Sequence, residues 1–191
     1  MQSIGSEITP RNMPYIKELR SVCIHNQYYG GRKVLARHRI GKDRLHDIGI
    51  PYLIYAARYG HIGIVKLMVD YFSMKLCDIR SNNNDALRWA CRNGHYSVVL
   101  YLCQKWLKLN DIKTKNNDAL HWACRNGHLG IVRFLTNRGA LSRSQLLQGC
   151  SETIKYAMSS PNGSAIVAHL NNLSRTAANS NKSKIVWQIN N

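Results

Sequence analysis

The chain has 191 residues, enough for one domain or one short solenoid, and an apolar fraction of 45% excludes wholesale disorder. Lysine and arginine number 27 against 10 acidic residues, a formal net charge of +17 that favours association with something acidic. No stretch approaches the roughly 20 apolar residues that span a bilayer, so a membrane partner is not expected.

The first seven residues, Met1-Gln2-Ser3-Ile4-Gly5-Ser6-Glu7, lack a basic region followed by an apolar run, so a secretory signal is not expected. Residues 1–12 read as flexible and polar. From Pro14 to Gln27 the spacing of Ile16, Leu19 and Cys23 predicts a helix, and Arg32 to His38 predicts a second after Gly30-Gly31. Residues 1–49 as a whole therefore read as a basic segment carrying a helical cap or a degraded repeat, closed by a charged connector over Arg37 to Asp47.

A clearer unit, residues 50–82, follows. Its core phrase is Leu53-Ile54-Tyr55-Ala56-Ala57-Arg58-Tyr59-Gly60-His61, with Ile64-Val65 behind it. The next two units are nearly the same text. Asn84-Asp85-Ala86-Leu87-Arg88-Trp89-Ala90-Cys91-Arg92-Asn93-Gly94-His95 and Asn117-Asp118-Ala119-Leu120-His121-Trp122-Ala123-Cys124-Arg125-Asn126-Gly127-His128 align without a gap, Asp118 following Asp85 by 33 residues. These are units 83–115 and 116–148. Gly94 follows Gly60 by 34 residues, so the first link carries one extra residue, expected between Tyr71 and Cys77.

Within each copy Leu87, Ala90 and Cys91, or Leu120, Ala123 and Cys124, fall at helical i, i+3, i+4 spacing and predict one narrow buried stripe. Asp85 and Asp118 stand before the apolar run as expected helix caps. Gly94 and Gly127 end the first helix, and a second begins at His95 or His128, burying Val98, Val99 and Leu102, or Ile131, Val132 and Leu135. Helices below about 12 to 15 residues are marginal alone, so each unit must lean on its neighbours.

These units resemble ankyrin repeats in period and in their helix–turn–helix wording. The family's T-P-L-H-x-A becomes Asp85-Ala86-Leu87-Arg88-Trp89-Ala90 and Asp118-Ala119-Leu120-His121-Trp122-Ala123, so only His121 keeps the family histidine. The wording N-D-A-L-x-W-A-C-x-N-G-H is similar to ankyrin-repeat proteins encoded by giant viruses of amoebae. The resemblance implies an all-α solenoid of stacked helix-turn-helix units joined by hairpin loops, acting as a binding module, and cysteines at core positions suit reduced thiols in an intracellular compartment.

Residues 149–173 read as an eroded fourth copy, in which Ile154-Lys155-Tyr156-Ala157-Met158 matches Leu120-His121-Trp122-Ala123-Cys124. From Ser174 to Asn191 the chain is rich in Ser, Asn, Lys and Arg and reads as a loose basic tail.

Function then rests on what the repeats expose. Arg58, Arg92 and Arg125 are equivalent, two residues before the glycine, on the side that ankyrin-like proteins turn toward their groove. Helices pack about 8 to 10 Å apart, so these residues would form a ladder of cations able to take carboxylates or phosphates. Arg88 and Lys115 widen the patch, and Asn84 and Asn117 supply amide hydrogen bonds. The competing reading is that arginine merely solubilises the helix face. Tyr55, Trp89 and Trp122 form an aligned aromatic column, read as packing between adjacent first helices rather than as a partner anchor.

The cysteines and histidines around Cys91, His95, His121, Cys124 and His128 read as core thiols and turn histidines, not as a metal site, which needs four converging ligands. No nucleophile-and-base pattern or phosphate loop is present. The expectation is a non-enzymatic, cofactor-free, monomeric module of the cytoplasm or nucleus, of a host cell if viral. It would bind an acidic protein through a basic concave face, and the alternative is a nucleic-acid-associated protein.

Overall fold

The computed structural model describes residues 18–19, 21–22, 25, 28–142, 144–145 and 151–189. Among the described residues eleven helices follow one another. They are α1 (Tyr28–Arg37), α2 (Ile50–Arg58), α3 (Ile62–Tyr71), α4 (Leu76–Ile79), α5 (Ser81–Arg92), α6 (Tyr96–Lys105), α7 (Leu109–Ile112), α8 (Thr114–Arg125), α9 (Leu129–Asn137), α10 (Ser151–Ala157) and α11 (Gly163–Ile189). A single 3-10 turn, Lys42–Arg44, and a π-helical turn, Leu45–Gly49, lead into α2. Among the described residues there is no strand, and the fold is the expected all-α solenoid.

The helices form two rows. One row runs α2, α5, α8, α10, and the other α1, α3, α6, α9, α11, each helix touching its neighbours in the row. The stripes read from the sequence lie between the rows: Leu53, Leu87 and Leu120 are fully buried, as are Ala56, Ala90 and Ala123, with Val65, Val99 and Val132 facing them. Small residues at the second positions let successive inner helices approach closely. One hydrophobic core therefore runs the length of the stack from Leu19 to Leu170.

The links between units are helical rather than extended. Each starts with one short turn, α4 or α7, held by an acid that accepts the amide three residues before it: Asp78 from Lys75 N at 2.7 Å and Asp111 from Lys108 N at 2.8 Å. Gln145 does the same for Ser142 N at 2.8 Å. The chain then turns through left-handed backbone, with φ of 54°, 59° and 60° at Asn82, Asn83 and Asn84, and 52° and 65° at Lys115 and Asn117. Asparagine is the side chain that best tolerates this region. Because Asn82 to Asn84 form a left-handed break inside α5, regular helix resumes at Asp85, which is therefore not the cap, and its carboxylate receives Arg88 instead of a backbone amide. Ser73, with φ of 50°, makes the turn that Gly139 makes with φ of 84° in the third unit, so the extra residue lies before the expected Tyr71 to Cys77 stretch, in α3, which has 10 residues against the 9 of α9.

The structure departs from the sequence reading at both ends. The helix expected to follow Gly30-Gly31 begins at Tyr28 and contains both glycines. The reason is contact: a β-carbon on Gly31 would meet Leu67 Cδ2 at 2.1 Å. The expected helix from Pro14 to Gln27 lies largely outside the described residues, although Leu19 is buried and Glu18 pairs with Arg37 at 3.1 Å. At the other end α11 continues through Ser174 to Ile189, so the expected loose tail is helical as far as it is described. No glycine or proline interrupts it after Gly163.

Candidate partner-binding face

The inner row brings Arg58, Arg92 and Arg125 into one column and interleaves them with the tryptophans. Arg58 Cζ lies 4.3 Å from the Trp89 ring centroid and Arg92 Cζ 4.9 Å from it, while Arg92 Cζ lies 4.3 Å and Arg125 Cζ 5.5 Å from that of Trp122. Layer order gives the sequence Arg58, Trp89, Arg92, Trp122, Arg125, so each indole contacts the guanidinium of the previous unit and that of its own. Cation–π contact at an exposed site is worth about 0.5 to 1 kcal/mol and holds each cation in place. All three arginines are exposed, and among the described residues none of them is ion-paired.

Aromatic side chains close both ends of the column. Tyr59 packs against Tyr55 in a tilted pair with centroids 4.6 Å apart and lies under Arg58 at 5.6 Å, and it is half exposed. At the far end His121 stacks on Tyr156 at 4.5 Å, and burial holds its ring below the usual histidine value of 6.5.

The other expected contact residues sit elsewhere. Arg88 is nearly buried and bridges two units, donating Nη2 to Asp85 and Nη1 to Asp118, each at 2.9 Å. Burial raises the Asp85 carboxyl, and Arg88 opposes that shift by favouring the charge. Asn84 is buried at 3% exposure and donates to Asp111 O at 3.0 Å and Thr114 Oγ1 at 2.9 Å, and Asn117 is equally buried. Lys115 alone of this group is exposed.

A second set of joints runs beside the ladder. His95 Nε2 donates to Arg58 O at 2.9 Å and His128 Nε2 to Arg92 O at 3.0 Å, so each turn histidine closes the helix end of the preceding unit. The rings fill the space above Gly60 and Gly94, where an added β-carbon would lie 2.4 Å from His95 Nδ1 and 2.6 Å from His128 Cε1. In the last joint Asn162 Nδ2 replaces the ring and donates to Gly127 O at 2.7 Å. The core thiols are equally occupied with packing, and burial pushes Cys103 up to about 12 and Cys91 also well up.

The repetition of one joint, one aromatic column and one core stripe in successive layers has a counterpart in comparison with known families. The model of ankyrin repeats, in three copies, matches residues 27–116 and 53–146. The chain belongs to the ankyrin-repeat family. The match begins at residue 27, inside the segment read as a cap or degraded repeat. No curated protein and no solved structure gives a match. Ankyrin repeats are generally protein-interaction modules and typically non-enzymatic. No helix among the described residues is long and apolar enough to cross a membrane.

Two features of the face were missed from the sequence although a signal was there. Lys75-Leu76-Cys77-Asp78-Ile79 and Lys108-Leu109-Asn110-Asp111-Ile112 repeat at the same 33-residue period, which marks the turn acids. Arg80 then pairs with Asp111 of the next unit through Nε at 2.7 Å and Nη2 at 2.8 Å. Arg88 likewise stands one period ahead of His121, three residues beyond Asp118, which places the arginine of one unit over the acid of the next.

Proposed function

We propose that this ankyrin-repeat protein is an intracellular, monomeric interaction module that takes an acidic protein segment along Arg58, Arg92 and Arg125, with Lys115 at the edge of the surface. The observation that carries this reading is the alternation of cation and indole. The guanidinium groups are exposed and, among the described residues, make no ion pair, while the indoles hold their positions, which suits bidentate carboxylate recognition. Arg88 and Asn84 serve the stacking of units instead, Arg88 donating to Asp85 and Asp118 and Asn84 to Asp111 and Thr114, and Asn117 is as buried as Asn84.

The same alternation weighs against the nucleic-acid reading. Single-strand binders stack bases on open aromatic faces, whereas Trp89 and Trp122 each already have two guanidinium groups within 5.5 Å of the ring centroid. The buried, protonated thiols suit a reducing compartment. The giant-virus wording adds a host cell as the setting and a host protein as the partner.

Binding of a fluorescent polyglutamate peptide, duplex DNA and RNA across a salt series tests this. Replacing Arg58, Arg92 and Arg125 together by glutamine should abolish peptide binding at a stability cost of about 0.5 to 1 kcal/mol per arginine. Peptide binding unchanged in that variant, or nucleic acid bound far more tightly than peptide, overturns the proposal.

A further inference from the structure

Tyr59 breaks the repetition of the inner row. The next two units carry Asn93 and Asn126 at its position, and both amides serve the fold, Asn93 Nδ2 donating to Arg58 O at 2.6 Å and Asn126 Nδ2 to Trp122 O at 2.9 Å. Tyr59 puts an aromatic ring there instead, and it is 49% exposed. Tyr156 is also exposed, but it aligns with Trp89 and Trp122 and closes the last layer of their column. Tyr59 stands outside that column, whose member in its own unit is Tyr55.

The exposed ring lies beside a ladder cation. Arg58 Cζ is 5.6 Å from the Tyr59 centroid and 4.3 Å from that of Trp89, so one guanidinium touches an open ring of its own unit and a more covered ring of the next. Tyr55 packs against Tyr59 with centroids 4.6 Å apart, which steadies the ring. Arg92 and Arg125 belong to later layers, so Tyr59 marks the first-unit end of the ladder. Tyrosine and arginine are the side chains that most often dominate interface energetics, because a stiff ring gives apolar area at low entropic cost and the guanidinium gives direction.

Resting on the acidic-partner reading above, we infer that Tyr59 selects an acidic segment that carries an aromatic side chain beside the carboxylate held by Arg58, at one end of its acidic run. Consecutive Cα atoms are about 3.8 Å apart, so side chains one or two residues apart on the partner can meet the ring and the guanidinium together across their 5.6 Å separation. The three arginines read charge, and Tyr59 adds a choice among acidic segments. An aromatic pair contributes beyond the area it buries, which is what separates one such segment from another.

The test is calorimetric titration of the full chain at low salt with three unlabelled peptides: a run of glutamates ending in alanine on both sides, and the same run with tryptophan in place of the first or of the last alanine. At least one tryptophan peptide should bind about fivefold more tightly than the alanine peptide, the worth of one aromatic pair. Tyr59→Asn, which matches the equivalent position of the next two units, should reduce that preference to less than about twofold while moving the alanine peptide's affinity by less than about twofold. Tyr59→Phe should keep the preference. Thermal melts of both variants establish that they are folded. No preference for tryptophan at either end, or a preference that survives Tyr59→Asn, with binding lost in the triple glutamine variant, refutes the role of Tyr59 and leaves the acidic-partner reading standing. Binding of no peptide, or binding untouched by the triple variant, refutes both. A single-stranded oligonucleotide of equal charge that binds more tightly than the tryptophan peptides, and loses that margin in Tyr59→Asn, overturns the inference in favour of base stacking.

Discussion

Gly94→Ala isolates the joint between units. Gly94 has φ of +79°, a conformation that costs alanine about 1 to 2 kcal/mol. Its new methyl would also stand 2.6 Å from His128 Cε1 and 2.7 Å from Nδ1. The ring must move, and the bond it donates to Arg92 O at 3.0 Å is weakened or lost, a further 0.5 to 1.5 kcal/mol or so. The expected destabilisation is about 1.5 to 3.5 kcal/mol in urea unfolding followed by circular dichroism. Gly139→Ala is the internal control. Its φ is +84°, but the nearest atom is Leu109 Cδ1 at an ordinary 3.5 Å, so only the conformational cost of about 1 to 2 kcal/mol applies. In a His128→Ala background the Gly94→Ala cost should drop to that same range, giving a coupling of about 1 kcal/mol. If Gly94→Ala matched Gly139→Ala, or cost the same with and without the imidazole, the joint as described would be wrong.

Leu120→Ala, at a fully buried position, should cost about 2 to 5 kcal/mol by urea unfolding. Arg88→Met leaves Asp85 and Asp118 without their shared cation and should cost about 1 to 3 kcal/mol, more than Arg92→Met in the same assay. His61, His121 and His169 are each held below 6.5, burial being the largest cause in all three. The folded chain therefore binds fewer protons than the unfolded chain as pH falls below about 6.5. Their contribution is whole above that value and is lost as pH falls through the folded values. The urea midpoint should accordingly drop between pH 7 and pH 5, and His121→Phe, which keeps an aromatic ring against Tyr156, should flatten part of that drop.

The repeat period carried most of the fold. Leu87 and Leu120, Ala90 and Ala123, and Cys91 and Cys124 recur with helical spacing, and a residue that recurs in every layer of a stack occupies the same burial in each. The arginine column was legible for the same reason. Its interleaving with Trp89 and Trp122 was not, because spacing along one helix does not tell which residue of the next layer a side chain reaches. Arg88 and Asn84 misled for a related reason: each is polar and sits near a link, but the left-handed turn at Asn82 to Asn84 folds Asn84 inward and places Asp85 inside the first helical turn. The length of α11 was hidden by composition, since Ser and Asn lower helix propensity without forbidding the helix.

The carbonyls at the C-terminal ends of α2 and α5 receive their hydrogen from the unit that follows. Neither of these two layers holds every donor that its own first helix requires. A severed half of the chain would expose an unanswered oxygen at the cut, so neighbouring layers gain their order together and surrender it together. Heat or denaturant should meet the array as a single cooperative block rather than as beads released one by one.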